Sequence, residues 1–477
     1  MSKEKIKELA GELAEEISKE IKSDVKKLGK KTFNMGGVHP EANKFAHGKS
    51  VETFPLPDQA VVYMTQHLGA PAKPVVQVGD KVKVGQLVGE ANGFVSANIH
   101  APISGTVTKI DAIADITGYP KPAIVIKREG DEWDESIDTS EDIVREIKLG
   151  KDEIIARMKD RGIVGLGGAC FPTHIKYMLK PEQKCEFLIV NAAECEPYIS
   201  TDNRVVLERT EQCIIGIEIA LIASGADQAI IGIEANKPRA IAKLVEATKG
   251  HPKIKVQPLR IKYPQGAQKQ LIKAITGRSV PNGALPISVG CIVNNITTMY
   301  VLYQAVQKNK PIIQAYTTVS GKSIPADKCK NFRIRLGTPI KDIMDAVGIP
   351  EDTGKIIAGG PMMGKAITNL EASAGKGMSS LLFISEAEAK RGPVSNCIRC
   401  GKCVEGCPMG LEPYRLHALS EQNRLEDCEQ FGIMNCIECG SCQFICPANR
   451  PILDNIRVGK NKTGGMIRAR AAAAQQK

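Results

Sequence analysis

Residues 187–197 read Phe187-Leu188-Ile189-Val190-Asn191-Ala192-Ala193-Glu194-Cys195-Glu196-Pro197. An apolar run with a polar turn directly behind it describes a short strand buried on both faces. The text around it repeats the arrangement. Asp142–Arg161 and Arg204–Ala223 have helical character, Gln228–Ile233 reads as a strand, Pro238–Lys249 as a helix and Ile254–Ile261 as a strand. Such alternation predicts a parallel sheet covered by helices. Ligands of these sheets sit beyond the carboxyl ends of the strands. The loops after Val190 and after Ile261 are therefore the first places to look for a site.

Asn191, Glu194 and Glu196 should project at that edge. Two acids there do not suit a phosphate, but they do suit hydrogen bonds to ribose or nicotinamide. A second piece lies upstream, Gly165-Leu166-Gly167-Gly168-Ala169-Cys170-Phe171-Pro172-Thr173-His174-Ile175-Lys176. A Gly-rich loop running into a helix from about Pro172 lets backbone N–H groups approach a phosphate. Lys176, one turn in, adds a point charge. The run is not the nicotinamide fingerprint, because Cys170 replaces the third Gly and a helix precedes it. A third piece is Val293-Asn294-Asn295-Ile296-Thr297-Thr298, polar residues ending an apolar run. Each piece alone also reads as a turn or cap.

The strongest chemical signal is Cys397-x2-Cys400-x2-Cys403-x3-Cys407-Pro408, followed by Cys436-x2-Cys439-x2-Cys442-x3-Cys446-Pro447. Three thiolates within seven residues wrap one face of a [4Fe–4S] cube, and the fourth goes to the other cube. One cluster should thus use Cys397, Cys400, Cys403 and Cys446, the other Cys436, Cys439, Cys442 and Cys407. Structural zinc takes paired Cys motifs instead, which a duplicated triple does not match. Cys428, between the runs, reads as a spare thiol.

The rest of the chain sets limits. Of its 477 residues, 43% are hydrophobic and 25% charged, as in a folded chain of several domains. Aromatics make up 4%, too few for a base-stacking surface. The net charge of +11 is spread without a dense basic block. The fifteen Cys and the charged first thirty residues predict a reducing compartment and no secretory signal. No segment reads as a membrane span. Residues 1–31 have an amphipathic helical pattern, with Ile6, Leu9, Leu13, Ile17, Ile21, Val25 and Leu28 on one stripe. The seven His residues are scattered and read as structural or surface groups.

Short apolar runs with Gly punctuation mark residues 54–127. Val75–Ile110 resembles the barrel-sandwich fold of lipoyl and biotin carriers. The hairpin tip, Glu90-Ala91-Asn92-Gly93-Phe94, lacks the modifiable Lys of a carrier, so a structural or docking role is expected. Together with "GGVHP" (36–40), "NAAECEPYISTD" (191–202), "YPQGAQKQLIKAITGR" (263–278) and "AGGPMMG" (358–364), these pieces resemble the C subunit of the Rnf complex, a membrane-associated NADH:ferredoxin oxidoreductase. The middle of the chain is also similar to the flavoprotein subunit of respiratory complex I.

The resemblance implies a multidomain α/β chain. Its parts are an N-terminal helix (1–31), an unmodified barrel-sandwich domain (32–135), a Rossmann-like FMN- and NADH-binding domain (136–310), a soluble-ligand-binding β-grasp module (311–385), a two-cluster ferredoxin domain (386–455) and a tail (456–477). It implies FMN phosphate on Gly165, Gly167, Gly168 and Lys176. Asn191, Asn294, Asn295 and Thr298 would line the flavin, with Glu194 and Glu196 facing flavin and NADH. Complex I has an Asp at the place of Ala193, an acid at Thr297 and a Gly at Cys170, so the NADH contacts transfer less well than the FMN site. The implied role is electron transfer between NAD(H), FMN and two [4Fe–4S] clusters. No catalytic side chain is required, because the flavin carries the hydride. The implied partners are integral-membrane and iron–sulfur subunits of an ion-translocating complex, at the cytoplasmic face of the membrane, with no nucleic acid. A corrinoid reductase and a non-enzymatic ferredoxin-like adaptor are the alternatives.

Overall fold

The computed structural model describes residues 26–475, apart from Ile349. The helix expected over residues 1–31 lies outside the described residues up to residue 25. Lys31 enters the described fold by pairing with the strand Ile254–Leu259, its N–H donating to Pro258 O at 3.1 Å.

The first module holds two antiparallel sheets, one four-stranded and one three-stranded. The larger joins Gln59–Tyr63, Pro120–Gly130, Ser104–Ala114 and Lys81–Val82, and the smaller joins Lys73–Pro74, Leu87–Glu90 and Ile99–His100. Their inward residues, among them Val62, Met64, Val88, Ile99, Ile103 and Ile126, make one core.

The next module is built on the expected parallel sheet. Its strands are β1 (Phe187–Ala192), β2 (Gln228–Glu234), β3 (Ile254–Leu259) and β4 (Cys291–Asn295), in the spatial order β3, β2, β1, β4, with every pair parallel. Leu188 and Val190 face one apolar cluster, and Ile189 faces another, so β1 is covered on both sides. The helices of this module are α1 (Lys151–Asp160), α2 (Thr201–Glu208), α3 (Thr210–Ser224), α4 (Pro238–Ala247), α5 (Gln268–Thr276) and α6 (Ile296–Gln307). On the first face α3 crosses α6. A Cβ at Gly216 would stand 1.9 Å from Met299 O, so only Gly allows these helices to approach so closely. The chain leaves β1 for β2 on one side and later returns to β4 on the other. The crevice between the ends of β1 and β4 is thus the topological switch point.

The remaining sheet is mixed. It contains β5 (Gln314–Ser320), β6 (Lys330–Arg335), β7 (Thr353–Ala358) and β8 (Ser380–Ser385), in the order Val51–Thr53, β6, β5, β8, β7, Lys365–Ala366. β5 and β8 are parallel neighbours, each flanked by an antiparallel partner. Val51–Thr53, assigned by sequence to the first module, instead adds to the edge of this sheet.

Four expectations are corrected. The helix expected over 142–161 spans only α1. The single helix over 204–223 is two, α2 and α3, broken at Arg209. The helix expected from Pro172 is one short 3-10 segment, Thr173–Tyr177. The tail expected at 456–477 belongs to a long C-terminal helix (Ile452–Gln475), packed on the helices Pro413–Glu421 and Leu425–Gln430. Leu453 and Ile456 are buried in that region, which periodicity blurred by the Gly464–Gly465 pair and a run of Ala did not announce.

Among the described residues no helix is long and apolar enough to cross a membrane.

Candidate functional site

The ends of β1 and β4 carry polar residues, as their sequence promised. Asn295 caps α6, accepting from Thr297 N at 2.8 Å and Thr298 N at 3.2 Å. The Gly-rich loop lies across this cap. Leu166 N donates to Thr298 Oγ1 at 3.0 Å, and a Cβ on Gly167 would stand 2.6 Å from Asn295 Nδ2. A Cβ on Gly168 would meet nothing within 4 Å among the described residues, which leave that side of the loop open. Lys176 Nζ donates to Val293 O at 2.7 Å and to Asn294 Oδ1 at 3.2 Å. Burial pushes its ammonium down to about 8. Asn294 Nδ2 donates to Tyr177 OH at 2.6 Å. The structure therefore joins Gly165, Gly167, Gly168, Lys176, Asn294, Asn295 and Thr298 in one place.

Asn191 holds the neighbouring loop, donating to Gly266 O at 2.8 Å and accepting from Ala193 N at 3.1 Å. Glu194, at φ 46°, accepts from Asp202 N at 2.7 Å through Oε1. Its Oε2 is buried without a hydrogen-bond partner among the described residues, 4.0 Å from Lys44 Nζ. Burial pushes the Glu194 carboxyl up, and the Lys44 ammonium opposes this. Lys44 donates to Glu194 O at 3.0 Å, to Glu196 O at 2.8 Å and to Ile199 O. Lys237, also buried, donates to Ala193 O at 2.9 Å and Glu234 Oε2 at 3.1 Å.

Glu196 departs from the expectation that it faces the same space as Glu194. It turns to the Gly-rich run 358–364, accepting from Met362 N at 3.0 Å and Met363 N at 2.9 Å. Burial raises its carboxyl to about 7. Gly360 is required there, because a Cβ would stand 2.2 Å from Glu196 Oε2.

Sequence reasoning missed Asp202, Lys44, Lys237 and Tyr177. Asp202 accepts from Asn295 Nδ2 at 2.7 Å and from Thr297 Oγ1 at 2.7 Å, and burial raises its carboxyl. The quoted run 191–202 contains it, and a polar residue in the first turn after a strand-end loop was the available signal.

These donors suit a ligand with a phosphate and a flat polar body. The loop offers bare backbone on its open side, a capped helix N-terminus stands behind it, and the orphaned Glu194 oxygen can accept one more hydrogen bond.

The second centre is built from thiols. Cys407, Cys436, Cys439 and Cys442 line one cavity, closed by apolar side chains including Leu416, Leu453 and Ile456. Leu411 N approaches Cys407 Sγ at 3.4 Å, and Glu438 N approaches Cys436 Sγ at 3.4 Å. N–H groups aimed at sulfur inside an apolar shell suit thiolates that ligate a cluster. Cys403 lies near Cys446 and Cys397. Cys407 thus stands beside Cys436, Cys439 and Cys442 of the second run, and Cys446 beside Cys403 of the first. The two runs also fold alike, with Arg399 and Gly401 in one and Glu438 and Gly440 in the other at positive φ. Cys428 is buried in the apolar core, 3.7 Å from Ser420 Oγ.

The two thiol centres differ in setting. Cys397 and Cys400 are exposed, whereas Cys407, Cys439 and Cys442 are buried. The buried set abuts the parallel-sheet module. Gln270 Nε2 donates to Pro408 O at 3.0 Å, Gly37 N donates to Gly406 O at 3.0 Å, and a Cβ on Gly36 would stand 2.4 Å from the Cys407 carbonyl.

Comparison with known proteins agrees with this division. Residues 158–304 match the Nuo51 FMN-binding domain, residues 31–131 the RnfC barrel sandwich hybrid domain and residues 396–450 the 4Fe-4S dicluster domain. The chain is 42% identical to the C subunit of the proton-translocating ferredoxin:NAD(+) oxidoreductase complex of Clostridium ljungdahlii, over 93% of this chain and 95% of that one. It is 39% identical to the C subunit of the Na(+)-translocating ferredoxin:NAD(+) oxidoreductase complex of Acetobacterium woodii, over 90% and 96%. It is also 39% identical to the C subunit of the ion-translocating oxidoreductase complex of Rhodobacter capsulatus, over 90% and 82%.

Proposed function

The chain belongs to the C-subunit family of Rnf-type ion-translocating ferredoxin:NAD+ oxidoreductases, and from this we propose how its own residues serve electron transfer in such a complex. FMN, when bound, would supply hydride exchange with NAD(H) and single-electron exchange with two [4Fe–4S] clusters.

In this reading Gly165, Gly167 and Gly168 give bare backbone to the FMN phosphate, and Lys176 adds charge from the end of β4. Asn191, Asn294, Asn295 and Thr298 orient the flavin, and Glu194 meets its polar edge or the nicotinamide. Glu196 braces the 358–364 run instead of touching the flavin. No side chain needs to act as general acid or base. Cys436, Cys439, Cys442 and Cys407 hold the cluster next to the flavin module. Cys397, Cys400, Cys403 and Cys446 hold the outer one, whose exposed cysteines suit exchange with another protein of the complex. The chain is read as peripheral, on the cytoplasmic face, carried by integral-membrane and iron–sulfur subunits. The sheet order β6-β5-β8-β7, with its parallel central pair, supports reading residues 311–385 as a β-grasp module.

One observation carries the reading: a buried four-thiol cavity whose Pro408 packs on α5 of the parallel-sheet module through Gln270. The test is anaerobic reconstitution of the full chain with FMN, iron and sulfide. One flavin and eight iron atoms per chain are expected, with NADH bleaching the flavin and an artificial acceptor restoring it. Uptake of clusters without flavin would favour an adaptor. Reduction of an added corrinoid at the rate of the artificial acceptor would favour a corrinoid reductase.

A further inference from the structure

Tyr263 is 2% exposed and sits where four segments meet. Its hydroxyl donates to Cys439 O at 2.7 Å and lies 3.4 Å from Glu196 Oε1. Its backbone is fixed on the other side, with N and O each paired to Val38 at 2.8 Å. The ring packs in an apolar cluster with Val38 and Cys439, against Cys195 and Met362. The Met362 carbonyl in turn closes on the residue after Cys439, since a Cβ on Gly440 would stand 2.9 Å from it. One side chain thus touches both the loop that leaves β1 and the peptide carbonyl of a cluster cysteine.

We propose that Tyr263 is a positioning residue for electron transfer, one that sets the place and the reduction potential of the cluster held by Cys407, Cys436, Cys439 and Cys442. The inference rests on the reading of those cysteines given above. The physical reason is a dipole in a dry place. The phenol hydrogen faces the Cys439 carbonyl oxygen, the negative end of a peptide dipole one residue's backbone from the ligating sulfur. In an apolar surround this field is weakly screened. Withdrawing negative potential from the ligand segment favours the more negative, reduced cluster. The same hydroxyl ties that segment to Glu196, whose two oxygens already hold Met362 and Met363. The flavin side and the cluster side therefore share one rigid contact.

The test is Tyr263→Phe in the full, reconstituted chain. Flavin and iron contents should match the unsubstituted chain. A redox titration followed by electron paramagnetic resonance should show the inner cluster's midpoint moved to lower potential, with the outer cluster and the flavin unmoved. An unmoved inner midpoint, or an equal shift of both clusters, would overturn the proposal. If the Phe variant loses the inner cluster, 4-aminophenylalanine at position 263 restores an N–H donor at the same point. Return of the cluster with its original midpoint supports the proposal, and continued loss overturns it. Failure of the broader reading is distinguishable, because the unsubstituted chain would then bind no flavin or fewer than two clusters.

Discussion

The side-chain amide of Asn295 donates to the Asp202 carboxylate at 2.7 Å, tying the cap of α6 to the first turn of α2. Asp202 lies beyond β1 and Asn295 ends β4, so this bond links the two sides of the switch point. Thr297 Oγ1 takes the second Asp202 oxygen at 2.7 Å, so the carboxylate is occupied by two neighbours and does not serve as a free acid.

Asp202→Ala leaves both donors buried without an acceptor. Each unmet donor costs about 1–3 kcal/mol. Asn295 should lose its fixed orientation, and FMN affinity should fall about tenfold or more. Asp202→Asn keeps one acceptor and should lose less. Flavin fluorescence titration of the two variants gives the order, and an Ala variant binding FMN as tightly as the unsubstituted chain would show that the cap needs no such brace.

Gly167→Ala adds a Cβ 2.6 Å from Asn295 Nδ2, closer than any ordinary contact. Either the loop lifts or the cap turns, at about 1–3 kcal/mol. FMN retention should drop while iron content stays the same. Gly168→Ala, whose Cβ would meet no described atom within 4 Å, is a control for folding only. It should fold unchanged and disturb only a ligand lying on the open side. Equal flavin occupancy in both variants and the unsubstituted chain would move the phosphate elsewhere.

Cys446→Ala should damage the cluster of Cys397, Cys400 and Cys403, about forty residues away, and leave the cluster of Cys436, Cys439 and Cys442 intact. Iron analysis and electron paramagnetic resonance separate the two. Loss of the nearer cluster alone would mean that each run ligates its own cube.

The pH dependence of stability should carry the mark of Glu196. Its carboxyl is raised by burial to about 7 in the folded chain, against 4.5 for the free group. The folded state therefore binds the extra proton between these values, and stability falls as pH rises from about 4.5 to about 7. At 1.36 kcal/mol per pH unit the full difference is about 3 kcal/mol, present as a cost above pH 7. Glu196→Gln should flatten that part of the curve while losing one Met N–H contact. Denaturant midpoints of both chains across pH 5–8 test this, and parallel curves would assign the slope to other groups.

These sites differ in how far sequence could reach them. The two cysteine runs were legible because ligand spacing is local and the chemistry tolerates no substitute. The strand ends were legible because a buried strand must stop where polar residues begin, and Asn191, Asn294 and Asn295 all lie there. Partners distant in sequence were not. Lys44 lies 150 residues from the Glu194 carbonyl it holds, and no periodicity marks a lysine that will be buried. Analogy puts Glu196 beside Glu194, but its true direction depends on the turn at Gly360, in another module. Asp142–Gly150 has helical composition, yet the helix begins only at Lys151, behind the Gly150 cap.

The C-terminal helix allows the sharpest contrast between tail and scaffold. Leu453 and Ile456 line the inner thiol cavity, and the helix continues past them along Pro413–Glu421 and Leu425–Gln430. Farther on, residues 468–474 are exposed. Of the described residues, deleting 470–477 removes exposed positions 470–474 and the surface pair Arg470–Glu429. Such a pair is worth about 0–1 kcal/mol, so both clusters and the flavin should survive. Deleting residues 452–477 removes two apolar walls, each side chain contributing about 1.5–3 kcal/mol of burial, and opens the cavity to water. The inner cluster should be lost or become labile to oxygen, while FMN stays bound to the parallel-sheet module. Measured iron should fall by about half in the longer deletion and stay constant in the shorter. A chain ending at residue 451 that keeps both clusters would show the C-terminal helix to be a tail after all.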